Sequence, residues 1–109
     1  MDDLISGHTR TYDDFKKQLT PQVKPLFEEL RNYCFSLDDN VLEDVRMHRI
    51  VFCKSITFRY FVDIEPQRES VIIKIRRDRK EPTKESEIKA NQNLDEIKNL
   101  LHDAYSNIH

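Results

Sequence analysis

Between Lys74 and Lys80 the chain runs Lys-Ile-Arg-Arg-Asp-Arg-Lys, five positive charges around one negative. A cluster of that density can hold phosphates by releasing their condensed counterions. Successive side chains of a strand point to opposite faces. A period of two therefore sends Phe58, Tyr60, Val62 and Ile64 one way, and Thr57, Arg59, Phe61 and Asp63 the other. The same period in the next run groups Val71, Ile73 and Ile75 with the first set, and Ile72, Lys74 and Arg76 with the second. With the apolar set turned to a core, the open face presents Arg59, Lys74 and Arg76 around Phe61, and Arg77, Arg79 and Lys80 prolong it. An exposed aromatic among cations can stack on a nucleobase. These seven residues are the expected anion-binding surface, with nucleic acid as its first expected partner. The competing reading is structural: outward positions on a half-buried sheet are ordinarily charged, and Asp63, Glu65, Glu69 and Asp78 are available as cross-strand partners.

A second arrangement is nucleolytic in type. Asp78 followed by Glu87-Ile88-Lys89 reproduces the Asp, Glu-x-Lys spacing with which restriction-fold nucleases hold a divalent metal. Two carboxylates would bind magnesium and the lysine would stand near the attacking water. In a chain with 35% charged residues a Glu-x-Lys arises easily by chance. Edge strands also carry Lys and Glu to discourage aggregation, which accounts for Glu85, Glu87 and Lys89 without catalysis. The first reading therefore assigns no catalytic residue, and Asp78, Glu87 and Lys89 form the enzymatic alternative.

Other chemistry finds little support. His8, His48, His102 and His109 lack the i, i+4 or cysteine spacing of a zinc site. Cys34 and Cys53 lie 19 positions apart in apolar surroundings, and both are expected as buried thiols. The one glycine, Gly7, leaves no room for a glycine-rich phosphate loop or a Gly-x-Ser-x-Gly nucleophile turn. No cofactor or metal is expected.

The whole chain bounds these readings. Its 109 residues suit one domain, and 38% hydrophobic residues can supply one core. With 18 basic and 20 acidic side chains the net charge is -2, so any anion-binding surface is local. Met1-Asp2-Asp3 is unlike a secretory signal, and no apolar run approaches a membrane span; a cytoplasmic protein without a membrane partner is expected.

The elements that must position the site follow from periodicity. Residues 1–10 show no apolar pattern and are expected to form a flexible arm before a single domain at 11–109. Thr11 with Asp14 opens a short helix bearing Tyr12, Phe15 and Leu19. Thr20 and Pro21 then start a long helix whose stripe is Val23, Leu26, Phe27, Leu30, Tyr33, Cys34 and Leu37, stopped by Asp38-Asp39-Asn40. Three β-rich runs follow at 45–53, 57–64 and 71–77, with 65–68 as a hairpin connection and a weaker fourth strand at 85–90. Asn93, with Glu96 three residues on, caps a last helix carrying Leu94, Ile97, Leu101, Ala104, Tyr105 and Ile108. The predicted fold is α+β: two N-terminal helices, a three- or four-stranded antiparallel meander, and a C-terminal helix on the same sheet face.

Certain residues within this order carry a resemblance. Leu26-Phe27-Glu28-Glu29-Leu30-Arg31 on the long helix, Phe61-Val62-Asp63-Ile64-Glu65-Pro66-Gln67 on the central strand and its turn, and Leu94-Asp95-Glu96 with Ala104-Tyr105 on the last helix make up the match. Over roughly residues 12 to 106 the chain resembles an uncharacterised domain family, found alone or C-terminal to predicted restriction-type nucleases and often labelled a predicted transport protein. The stretch before the last helix is shorter than that pattern and lacks its glycine-containing segment. The resemblance implies no assigned chemistry, and its nuclease company points to nucleic acid. The expected function is thus a non-enzymatic accessory module that docks an anionic partner. A metal-dependent nuclease and a homo-oligomeric or subunit contact through the same face are the alternatives.

Overall fold

The computed structural model describes residues 10–54, 59–77 and 83–108. Residues 1–9 of the arm expected at 1–10, and the residues Phe58, Asp78, Arg79 and Lys80, lie outside them. Helix α1 spans Tyr12–Phe15, and the Thr11 hydroxyl caps it by accepting from the Asp14 amide at 3.2 Å. A 3-10 turn, Lys16–Gln18, follows. Helix α2 spans Lys24–Ser36. It begins later than Thr20-Pro21 suggests, because Thr20 closes a separate turn: its carbonyl accepts from the Val23 and Lys24 amides. Pro25 then falls in the first helical turn, where a missing amide costs nothing.

Five strands form one antiparallel sheet in sequence order: β1 Val41–Val45, β2 Ile50–Lys54, β3 Arg59–Pro66, β4 Ser70–Ile75 and β5 Lys84–Lys89. Helix α3, Asp95–Asn107, closes the described chain; the Asn93 side chain accepts from the Asp95 amide at 2.8 Å. The α+β class and the antiparallel meander agree with the sequence pattern, and the expected fourth strand is β5. The additional strand arises within 45–53. That run is a hairpin, reversed at Arg46–Arg49, whose Arg46 amide donates to the Arg49 carbonyl at 2.8 Å.

The helices cover one face of the sheet. On that face Val41, Ile50, Phe52, Phe61, Val62, Ile64, Val71, Ile73, Ile75 and Ile88 join Phe15, Phe27, Leu30, Leu101 and Ala104 in a continuous core. Two ring contacts tie the layers: Phe35 of α2 meets Phe52 edge-on at 5.5 Å, and Tyr105 of α3 meets Phe61 at 5.3 Å. A largely covered ion pair crosses the same interface. The Arg31 guanidinium donates to both Glu43 oxygens at 2.5 and 3.1 Å, stacks 3.9 Å above the Tyr12 ring, and lies 5.1 Å from that of Phe35. The Tyr12 hydroxyl donates to Glu28 at 3.0 Å, so α1 is held to α2 by a polar bond as well as by Phe15 against Phe27.

The end of α3 is fastened by polar contacts. Lys54 donates to the Ile108 carbonyl at 2.6 Å with its ammonium 4.6 Å from the Tyr105 ring, and the Tyr105 hydroxyl donates to Asp38. That hydroxyl holds the Asp38 carboxyl below the usual carboxylate range. Partial burial, then the same carboxylate, push the Tyr105 hydroxyl up to about 12. A carboxyl with a lowered folded-state pKa adds stability above its unfolded value, and that contribution is lost as pH falls through the folded value, here below about pH 4. Tyr105→Phe is expected to move the Asp38 midpoint upward in a carboxyl NMR titration; an unchanged midpoint would refute the assignment.

Candidate functional site

The helix-free face is built from the alternate positions of the five strands, and one irregularity decides which residues reach it. Cys53 pairs with Tyr60, whereas the preceding Phe52 pairs with Val62, so Phe61 is an extra residue in β3. A β-bulge of this kind places two neighbouring side chains on one side and reverses the alternation beyond it. Phe61 and Val62 therefore both enter the core, each with 0% exposure. The Phe61 carbonyl still accepts from the Arg76 amide at 2.9 Å. Upstream of the bulge the faces are exchanged: Tyr60 stands on the helix-free side with Cys53, and Arg59 pairs with Lys54 on the helix side.

The expected surface is corrected accordingly. Phe61 is core and presents no stacking platform, and Arg59 belongs by register to the helix face. Lys74 and Arg76 are on the helix-free face as expected. Arg77 turns off the strand end toward α3, where it pairs with Asp103 at 3.2 Å. Arg79 and Lys80 lie outside the described residues. In the nucleolytic triad, Glu87 and Lys89 share the helix-free side of β5, and Glu87 accepts from the Ser70 hydroxyl at 2.7 Å. Asp78 is outside the described residues, and among them no group of three or more His, Cys, Asp or Glu is placed to hold a metal ion.

Side chains that the sequence reading did not single out complete the face. Arg49, at the start of β2, reaches across to Asp63 at 3.2 Å, and Arg46 pairs with Asp44 at 3.0 Å. The ladder runs Val51, Asp63, Lys74, Glu85 across β2 to β5, so Lys74 has a carboxylate neighbour on each side. The Arg76 guanidinium lies 5.0 Å over the Tyr60 ring. Toward β1 the face becomes apolar: Leu42, Val51, Cys53 and Tyr60 line a shallow depression of about 340 Å³ with Asp44 and Arg46 at its rim. A polar depression of about 360 Å³ adjoins it between Arg49, Tyr60, Asp63, Lys74, Thr83 and Glu85. The surface is a mosaic of both signs bordered by an apolar strip, which differs from the basic face expected.

Val51 and Cys53 are largely covered although they lie outside the main core. Burial pushes both cysteine thiols up, away from the reactive thiolate form. His48 and His102 are exposed, on the β1–β2 turn and α3.

Compared with protein-family models, with curated proteins and with solved structures, the chain matches none. No helix among the described residues is long and apolar enough to cross a membrane.

Proposed function

We propose that the protein is a non-enzymatic binding module whose partner, a protein, docks on the helix-free face of the sheet. One observation carries this reading: among the described residues the helices α1, α2 and α3 lie against the opposite face, and none covers Leu42, Tyr60, Ile72, Lys74 and Arg76. Leu42 is 40% exposed beside the apolar depression, the kind of feature that a protein partner desolvates. The distribution of charge favours a protein over nucleic acid. A polyphosphate rewards a surface of one sign, whereas here Arg46, Arg49 and Lys74 each have a carboxylate neighbour. The Arg76–Tyr60 stack is the observation in favour of nucleic acid.

A photo-reactive residue at Ile72, compared with one at His102 on the exposed side of α3, tests the reading in living cells. A discrete protein cross-link at Ile72 and none at His102 is expected. Cross-links at both positions or at neither overturn it. Salt-dependent retention of DNA or RNA by the purified chain, abolished by Lys74→Glu with Arg76→Glu, would replace it with the nucleic-acid reading.

A further inference from the structure

We infer that a second copy of this chain pairs with the open edge of the sheet, β1 against β1 about a two-fold axis through Leu42, so that one sheet runs across both copies. The inference rests on the proposed binding role at the apolar end of the helix-free face and leaves Ile72, Lys74 and Arg76 open to another partner. The first observation is where apolar surface remains. Phe35, Leu42 and Met47 are the exposed large apolar side chains among the described residues, and all three gather at this edge. Leu42 is on β1, Met47 is in the turn that follows it, and Phe35 of α2 meets Phe52, the cross-strand partner of Glu43.

The two edges of the sheet differ. Strand β5 carries exposed Lys84, Glu85, Glu87 and Lys89, the kind of charged guard that keeps an edge from pairing. Strand β1 offers Val41, Leu42 and Val45, contains neither lysine nor proline, and pairs with β2 in unbroken register. Its two carboxylates are bound within the chain, Glu43 to Arg31 and Asp44 to Arg46.

The backbone fixes how a second β1 can join. The Arg46 amide donates to the Arg49 carbonyl, so the next pair, Val45 with Ile50, is a non-hydrogen-bonded one, and the alternation gives Glu43 and Val41 the same character. These three residues point their backbone groups off the sheet; the Val41 amide accordingly turns to the Asp38 carbonyl at 3.3 Å. A symmetric antiparallel pairing joins outward residues to outward residues, so its axis passes through a residue and not between two. Through Glu43 or Asp44 the axis sets carboxylate against carboxylate, through Val41 it sets Glu43 against Asp39, and through Val45 it runs into the turn. Only Leu42 remains. There the two leucines meet as a non-hydrogen-bonded pair, the closer kind, Asp44 faces the second copy's Asn40, and Glu43 faces its Val41. The Glu43 amide then donates to the second copy's Val41 carbonyl, and by symmetry the bond occurs twice. On the helix-free side the row Tyr60, Cys53, Leu42 continues into the second copy as Leu42, Cys53, Tyr60.

Sedimentation equilibrium of the full chain is expected to show mass rising above 13.1 kDa with concentration. The contact is short, at the weak end of specific interfaces, but it is made of backbone bonds and apolar cover, so about 0.5 M salt should leave it in place. Leu42→Lys sets cation against cation at the axis and should weaken self-association by about a hundredfold, with circular dichroism checking that the variant is folded. In the wild-type chain, hydrogen exchange read by NMR should slow at the Glu43 amide as concentration rises. Mild oxidation of Leu42→Cys, in a Cys53→Ala background that removes the neighbouring thiol, should link two chains, whereas Asp44→Cys in the same background should not. A wild-type chain that stays monomeric, a folded Leu42→Lys that associates like wild type, a Glu43 amide indifferent to concentration, or linkage as ready through Asp44→Cys would each overturn the inference. A monomeric chain whose Ile72 cross-links to another protein loses the pairing and keeps the binding role; a paired chain whose Ile72 cross-links to nothing keeps the pairing and loses the binding role of the rest of the face.

Discussion

Phe61→Ala is expected to lower folding stability by about 3–5 kcal/mol, a large share of the 5–15 kcal/mol that holds a domain of this size together. The ring is wholly buried among sheet and helix residues and meets Tyr105 edge-on at 5.3 Å. Truncation removes its transfer free energy and leaves a cavity beneath α3, a helix that cannot collapse inward while Lys54 and Asp38 anchor its end. Tyr60→Ala, one residue away on the other face, should cost about 1 kcal/mol, mainly the cation–π contact with Arg76 and some covered area. Urea denaturation of the two variants reads the face of each ring directly. Strict alternation from Ile64 back to Arg59 predicts the opposite order, so a larger loss for Tyr60→Ala would exclude the bulge.

Glu43→Ala comes next in expected size, at about 3 kcal/mol. Glu43 and Arg31 have side chains only 13% and 24% exposed, and the guanidinium is wedged between Tyr12 and Phe35. Removing the carboxylate strands a charge that has few other acceptors, and the penalty is that of leaving one member of a covered pair alone. The pair Arg46–Asp44, with side chains 58% and 51% exposed, is the control: Arg46→Ala should change stability by less than about 1 kcal/mol, because water screens and replaces the contact. Equal losses in the two variants by thermal or chemical denaturation would show that Arg31 finds another partner.

The fold was largely legible because most elements carry a local signal. The stripes of α2 and α3 and the Pro66 hairpin are each set by residues a few positions apart, and Asn93, expected as the cap of α3, lies one residue before its N-cap Leu94 and bonds the Asp95 amide. Two features lacked such a signal. Arg46-Met47-His48-Arg49 reverses the chain without glycine, proline, asparagine or aspartate, so the flanking β-rich residues pass for one strand. The bulge at Phe61 likewise has no glycine, and its one trace is three consecutive large apolar residues, Tyr60-Phe61-Val62, in a strand that otherwise alternates.

The second omission governed the candidate site. A one-residue slip exchanges the faces of every residue beyond it, so Arg59 and Phe61 left the expected surface together while Tyr60 entered it. The first omission hid Arg49, whose approach to Asp63 depends on the reversal of the chain at Arg46–Arg49. Lys74 and Arg76 were legible because β4 is regular from Ser70 to Ile75.

Because each strand bonds to its neighbour in sequence while α3 comes after all of them, the sheet can assemble during synthesis with α2 over part of its apolar side and the share beneath α3 still open. Until Leu101, Ala104 and Tyr105 have left the ribosome, Phe61 lacks the helix that shelters it, and a stalled or truncated chain would offer the apolar part of the sheet that α3 covers to chaperones or to its neighbours.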